Sequence, residues 1–249
     1  MDGGNFLGFP PKSVAVVTGA ASGIGRATVR VLLDVGVDVA GWDVSREGLE
    51  AVSQELGKDG SRFRGYCVDV TERDRVVSTF AEVGRDFGGA GLLVNNAGPP
   101  SGTPFPFDEG LAASLGSVHL VTEAWLSTDA SANGTVVNVA SVAGAILGVG
   151  PTAWYPAAKA GIAGYTRHLA LTRPRGIRAN AVAPGIVETP RTKALLESPE
   201  GSAVIARNPM GRVGRPADVA AAIVFLLSPA SEYINGVLLP VDGGNLLTQ

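Results

Sequence analysis

Tyr155 and Lys159 stand four residues apart in the stretch TAWYPAAKAG, with Pro156 and two alanines between them. On a helix, positions i and i+4 share one face, with Cβ atoms roughly 5–6 Å apart. Pro156 is compatible with a helix only in the first turn, where its missing N–H costs nothing. The stretch is therefore expected to open a helix that aims a weakly acidic hydroxyl and a cation at one point. A surface helix that merely carries one tyrosine and one lysine is the alternative, and the pair alone does not decide between them.

A second set of residues could hold a phosphate. Gly19, Gly23 and Gly25 follow the short run VAVVT with the spacing G-x-x-x-G-x-G, a relative of the dinucleotide fingerprint. Glycines let a backbone approach a pyrophosphate closely, and the N–H groups that open the next helix face its negative charge. Eighteen residues after Gly25 comes Asp43, at the end of a second β-branched run. A carboxylate there can accept hydrogen bonds from the adenosine ribose hydroxyls and would repel a 2′-phosphate. No lysine or arginine lies between Gly19 and Gly25 to offset that repulsion, so the loop favours NAD over NADP. A tight strand–helix turn with no ligand is the competing reading of the glycines.

These groups need elements to position them, and the chain alternates short β-branched runs with longer helical patterns. Strands are expected at VAVVT, VDVAGWD, FRGYCVDV, LLVNNAG, TVVNVAS, IRANAVAPG and GVLLPVDGG. Helical periodicity follows the first three, and further helices are expected near 111–127, from Tyr155 onward, and near 217–227. Repeated βα units with near-continuous apolar strands point to a parallel sheet covered by helices on both faces. No Pro/Gly-rich linker divides the chain, so one domain over 1–249 is expected, with a short flexible arm at 1–12 and a mobile lid at about 190–212.

Composition narrows the function classes. Of 249 residues, 45% are hydrophobic and only 17% charged, which supports a full core and argues against disorder. The net charge of −3 carries no basic footprint for nucleic acid. Cys67 is the single cysteine, so neither an intrachain disulfide nor a thiolate metal cluster is expected; it reads as a small apolar residue of the third strand. The start of the chain lacks signal-peptide character, and the apolar runs are too short and broken to span a bilayer. A soluble cytoplasmic protein without a metal is expected.

Taken together, the motifs resemble those of the short-chain dehydrogenase/reductase family, in order and over nearly the whole chain. TGAASGIG resembles its cofactor loop, CVDVT its third-strand motif, NNAG its fourth-strand signature, VNVASVAG its serine strand, YPAAK its Tyr-x-x-x-Lys pair, NAVAPGIVET its nicotinamide loop and VDGG its C-terminal ending. The resemblance implies a single-domain, doubly wound Rossmann fold with seven parallel strands. It implies a nicotinamide cofactor held by Gly19, Ser22, Gly23, Ile24, Gly25, Asp43, Asp69, Val70, Asn95, Ala97, Gly98, Pro184, Gly185, Ile186 and Thr189, together with Tyr155 and Lys159. By the same resemblance Tyr155 is the acid/base, Lys159 holds the ribose and tunes the phenol, and Ser141 hydrogen-bonds the substrate oxygen. A phenol of pKa about 10 is a poor base at neutral pH. A cation at about 4 Å is worth roughly 4 kcal/mol at an effective dielectric of 20, or about three pKa units.

The chain departs from the family pattern in places. The family's usual fourth catalytic member, an asparagine in the helix after strand four, aligns with Ser114 in LAASLGSVHL. That puts its proton-relay water in doubt. His119 reads as a packing or subunit-contact residue. The proline-rich segment PPSGTPFPFDEG reads as abbreviated, which alters one wall of the site mouth. Ala143, Leu147, Trp154 and Gly185, with Ser141 and Tyr155, are expected to line the substrate pocket. Its apolar character suits a neutral secondary alcohol or ketone, cyclic or aromatic. Arg191 and Lys193 read as solvated. The resemblance also implies a homotetramer through paired helices near 111–127 and 155–171. Two other readings stay open: an NADPH-dependent ketoacyl reductase and a non-catalytic dinucleotide-binding protein.

Overall fold

In a computed structural model, described for residues 6–56, 62–148, 150 and 152–248, the chain forms one seven-stranded sheet. The strands are β1 (Val14–Thr18), β2 (Asp38–Asp43), β3 (Phe63–Cys67), β4 (Leu92–Asn95), β5 (Thr135–Val139), β6 (Arg178–Pro184) and β7 (Leu238–Val241). All pair in parallel, in the order β3-β2-β1-β4-β5-β6-β7.

β1 and β5 are buried along their whole length because both faces of the sheet are covered. Side chains alternate faces with period two, so one strand feeds two cores. Ala15 and Val17 pack with Val29 and Leu32 of α1 (Gly23–Asp34), Leu49 and Val52 of α2 (Arg46–Leu56) and Ile223 of the late helix Pro216–Leu227. Val14 and Val16 pack with Phe80 and Val83 of α3 (Arg73–Phe87), with Trp125 and with Leu169 on the opposite face.

The chain reverses direction across the sheet between β1 and β4, where Val17 pairs with Val94. In open parallel sheets the crevice for ligands lies outside the carboxyl ends of the strands at such a switch. The glycine loop, Asp43, Asn96, Ser141 and Pro184 all lie at those ends.

The helix from Tyr155 forms as expected: α7 runs Trp154–Thr172, with Pro156 in its first turn. Two elements differ from the sequence reading. β3 stops at Cys67, because Asp69 folds back to accept from the Thr71 amide at 2.9 Å and the Thr71 hydroxyl at 2.7 Å. The helix expected at 111–127 is broken into α4 (Phe107–Leu111), one wide π-type turn (Ala112–Gly116) and α5 (Ser117–Leu126). The segment read as a lid carries α8 (Lys193–Leu196) and α9 (Pro199–Arg207), and α10 (Pro216–Leu227) follows; α6 is the irregular turn Val142–Ala145. Of the N-terminal arm, residues 1–5 lie outside the described residues, while Phe9 packs into the core. No described helix is long and apolar enough to cross a membrane.

Candidate active site

The glycine loop is shaped by close packing. Gly19 has φ +68°, and a Cβ there would come 2.7 Å from the Asn96 amide nitrogen. A Cβ on Gly25 would collide with the Gly19 carbonyl oxygen. α1 starts at Gly23 with no acidic residue in its first turn, and the Ser22 side chain does not cap it. The first N–H groups of that helix therefore keep their partial positive charge, the arrangement that suits a phosphate. Asp43 is half-buried at the end of β2 and accepts from the Ala21 amide at 3.0 Å and the Ser45 amide at 2.9 Å. These bonds tie the carboxylate to the glycine loop and leave lone pairs for ribose hydroxyls. The nearby Arg26 and Arg30 both pair with Glu55. The residues present thus fit a dinucleotide.

Asn95 and Asn96 divide their work. Asn95 is buried, and its amide donates to Thr122 and to Asn138, each at 2.9 Å, while Asn138 reaches Thr166 at 2.9 Å. This network joins β4, β5, α5 and α7 beneath the site, so the Asn95 side chain fixes the frame from within. Asn96, not singled out from the sequence, faces the loop instead: its amide donates to Thr18 O at 2.9 Å and Gly19 O at 3.3 Å. The Thr18 hydroxyl accepts from the amides of Asn96 and Ala97 at 3.0 Å and donates to Val94 O at 3.2 Å. Nothing in composition marks Thr18 as the clasp between β1 and β4; only the strand order brings them together.

Ser141, Tyr155 and Lys159 converge. A turn at Gly144 (φ +88°) lets the chain after β5 fold onto α7, where a Cβ would collide with the backbone of Pro156. That contact sets Ser141 against Tyr155. The Ser141 oxygen accepts from the Ala143 amide at 3.1 Å, which leaves its proton free to donate to the phenol oxygen. Lys159 is 9% exposed; its Nζ donates to Val139 O at 2.9 Å and lies 5.7 Å from the Tyr155 ring centre.

The electrostatics differ from expectation. Burial raises the Tyr155 phenol above its ordinary value, outweighing the downward pull of the Ser141 hydrogen bond and of the Arg191 charge. Burial, with the Arg191 charge acting the same way, lowers the Lys159 ammonium from 10.5 to about 8. Burial of the phenol itself, and not the charge of Lys159, sets the direction of its shift here.

Ser114 is buried, at 3% exposure, in the middle of the π-type turn. Across that turn the Ser117 amide reaches back to the Ala112 carbonyl, and the Ser117 hydroxyl donates to the Ala113 and Ser114 carbonyls at 2.9 Å each. His119 is exposed and meets Tyr165 at a tilt, ring centres 5.4 Å apart. Trp154 is a correction: it is 1% exposed, its indole donates to Thr103 O at 3.0 Å, and its ring fills the space beside Gly110. It braces the proline-rich segment instead of lining a pocket, with Thr152 adding a bond to Ser101 O at 2.9 Å. Cys67, expected inside the third strand, is instead its last residue and is half-buried.

The far rim is tied to the same point. Gly185 packs against Asp242, whose carboxylate accepts from the Gly244 amide at 3.0 Å and the Leu246 amide at 2.8 Å. Asn208, at the end of the 190–212 segment, donates to Asp242 O at 2.9 Å. A Cβ at Gly23 would stand 3.2 Å from the Thr189 methyl, so the glycine loop and the loop after β6 meet. A phosphate-binding loop, a ribose acceptor, and a serine–tyrosine–lysine group thus face one crevice, which suits hydride and proton exchange at a carbonyl or alcohol carbon.

Comparisons with known proteins agree with this arrangement. A family model described as enoyl-(acyl carrier protein) reductase matches residues 19–245. The chain is 40% identical over 242 residues to cis-4-hydroxycyclohexanecarboxylate dehydrogenase of Sinomonas cyclohexanicum, covering 94% of this chain and 96% of that one. It is 37% identical to the 3-oxoacyl-[acyl-carrier-protein] reductase FabG of Thermotoga maritima, covering 93% and 96%. Among solved structures it superposes on levodione reductase with a TM-score of 0.86 at 33% identity, covering 96% of this chain and 99% of the other.

Proposed function

The chain belongs to the short-chain dehydrogenase/reductase family, and from that premise we propose that it is an NAD-dependent oxidoreductase interconverting a cyclic secondary alcohol and its ketone. The reaction class rests on the convergence of Ser141, Tyr155 and Lys159 at the mouth of the glycine loop. The ring preference is supported by the relatives whose names carry a hydroxylated cyclohexane or a dione, and by the apolar stretch that follows Ser141.

NAD, when bound, supplies the hydride acceptor for oxidation and, reduced, the hydride donor for reduction. Gly19, Gly23, Gly25 and the N-terminus of α1 would hold its pyrophosphate, Asp43 the adenosine ribose and Lys159 the nicotinamide ribose. Ser141 holds the substrate oxygen in register with Tyr155. In ketone reduction the Tyr155 hydroxyl gives its proton to the substrate oxygen; in alcohol oxidation the phenolate takes it. A phenol raised by burial keeps its proton near neutral pH and so favours the acid role until added positive charge lowers it. Asp43 and the Glu55-paired arginines support NAD over NADP. A cytoplasmic location and a homotetramer are part of the same reading.

A panel of cyclic secondary alcohols with NAD⁺ or NADP⁺, followed at the NADH absorbance, tests the proposal. Oxidation with NAD⁺ at a kcat/KM at least tenfold above that with NADP⁺ is expected. A second reading, a ketoacyl reductase working on a carrier-bound thioester with NADPH, is favoured by the 37% identity to FabG. Reduction of an acetoacetyl thioester with NADPH, and no turnover of ring alcohols, would establish that reading instead.

A further inference from the structure

Arg191 stands two residues beyond Thr189, on a turn held from several sides. The Thr189 amide donates to the Thr192 hydroxyl at 3.0 Å, that hydroxyl donates to Val187 O at 2.6 Å, and the Thr192 amide donates to Thr189 O at 3.1 Å. The base of the turn is clamped where the Glu188 amide meets Gly214 O at 2.8 Å and the Gly214 amide meets Ile186 O at 2.9 Å. Its inner side lies against Gly23. Arg191 is therefore a solvent-exposed arginine on a fixed base at the rim of the site, whose charge acts on both the Tyr155 phenol and the Lys159 ammonium.

Among the described residues its charge has no counter-ion. Neighbouring cations are paired, Lys193 with Glu197 at 3.9 Å and Arg212 with Asp218 at 2.6 Å. Arg191 makes no ion pair or hydrogen bond among the described residues. A second cation beside a buried lysine is unfavourable for the folded chain, since like charges raise each other's energy. An anion placed between them reverses the sign. The planar guanidinium fork matches a carboxylate with two parallel bonds.

We propose that Arg191 binds a carboxylate carried by the substrate, so that the alcohol oxidised at Tyr155 is a cyclic hydroxy acid. The inference rests on the ring-alcohol reading above and replaces the neutral substrate expected from the sequence. The same guanidinium chemistry could instead meet a dinucleotide phosphate, because its turn touches the glycine loop.

Calorimetric titration separates these. Cyclohexanecarboxylate and its neutral isostere cyclohexanecarboxamide are titrated into the wild-type protein, Arg191→Gln and Arg191→Lys, with and without NADH. The wild type is expected to bind the carboxylate at least tenfold more tightly than the amide. Arg191→Gln should abolish that preference, Arg191→Lys should restore part of it, and the NADH dissociation constant should stay within about threefold throughout. No preference in the wild type, or an unchanged preference in Arg191→Gln, overturns the proposal. A tenfold loss of NADH affinity in Arg191→Gln with the preference intact also overturns it and assigns the arginine to the cofactor. If no ring alcohol is oxidised yet the preference depends on Arg191, the ring-alcohol reading fails and the anion subsite stands.

Discussion

Tyr155 carries the proton chemistry through one atom. Its ring meets Trp154 edge-on with centres 5.6 Å apart, a contact that does not need the hydroxyl. Tyr155→Phe should therefore fold and bind NADH normally while losing at least 100-fold in turnover, the lower bound for a general acid/base. Steady-state rates beside a fluorescence titration check this, and residual turnover within tenfold of wild type would refute the role. Asp43 acts in two directions, holding the loop through Ala21 and Ser45 and presenting charge outward. Asp43→Ala should weaken NADH binding about tenfold and raise the NADPH-to-NADH affinity ratio; an unchanged ratio would remove the residue from cofactor choice. Lys159 is a liability to the fold. With its ammonium lowered from 10.5 to about 8, the unfolded chain holds more protons between those values. Its contribution to stability therefore rises as pH climbs from about 8 towards 10.5. Lys159→Met should raise stability at pH 7 by about 1–2 kcal/mol, less the Val139 hydrogen bond, and a Tm gain of a few degrees would register it. A lower Tm at pH 7 would show the ammonium to be stabilising. The same variant should lose NADH affinity.

At the scale of elements, the π-type turn between α4 and α5 interrupts the helix that lies against α7. Such turns add a residue to the helix and cluster at functional sites. Gly161 of α7 packs against Leu115 here, where a Cβ would come 2.6 Å from the leucine Cδ2, so the turn and the catalytic helix are in direct contact. A serine at the position of the family's asparagine should hold a relay water less firmly. Ser114→Ala is expected to cost under ~1 kcal/mol in kcat/KM, and Ser114→Asn to be tolerated or to raise turnover. Loss of activity in Ser114→Ala with NADH binding intact would make the hydroxyl an essential catalytic member.

At the scale of the molecule, α5 and α7 share an outer surface. Leu111, Ala112, Leu115, Gly116, His119 and Tyr165 border an open groove of about 450 Å³ across these helices. Apolar helix faces of this kind mark association surfaces. A homotetramer is the expected state, and light scattering at micromolar concentration should return four times the chain mass. A monomer would rule it out. His119→Glu, which places charge beside Tyr165, should loosen the assembly.

Much of this was legible in the one-dimensional chain. Short apolar runs spaced by amphipathic stretches specify a parallel sheet between helix layers, because side-chain period alone dictates which elements can bury which face. Glycines at 19, 23 and 25 and the i, i+4 pair Tyr155–Lys159 are local devices, set by backbone freedom and helix pitch. What the sequence could not show depends on residues far apart in it. Trp154 looked like a pocket wall until Gly110 and Thr103 were seen to cover it. Asn96 and Thr18 became a clasp only once β1 and β4 lay side by side. Burial raises Tyr155 and lowers Lys159, which pairwise spacing could not show, because desolvation is a property of everything packed around a group. Arg191 is exposed, as its sequence reading has it, yet its charge acts on both because the loop after β6 returns to the strand ends. Spacing along the chain decides local geometry, whereas burial and charge depend on which distant segments the tertiary fold brings together.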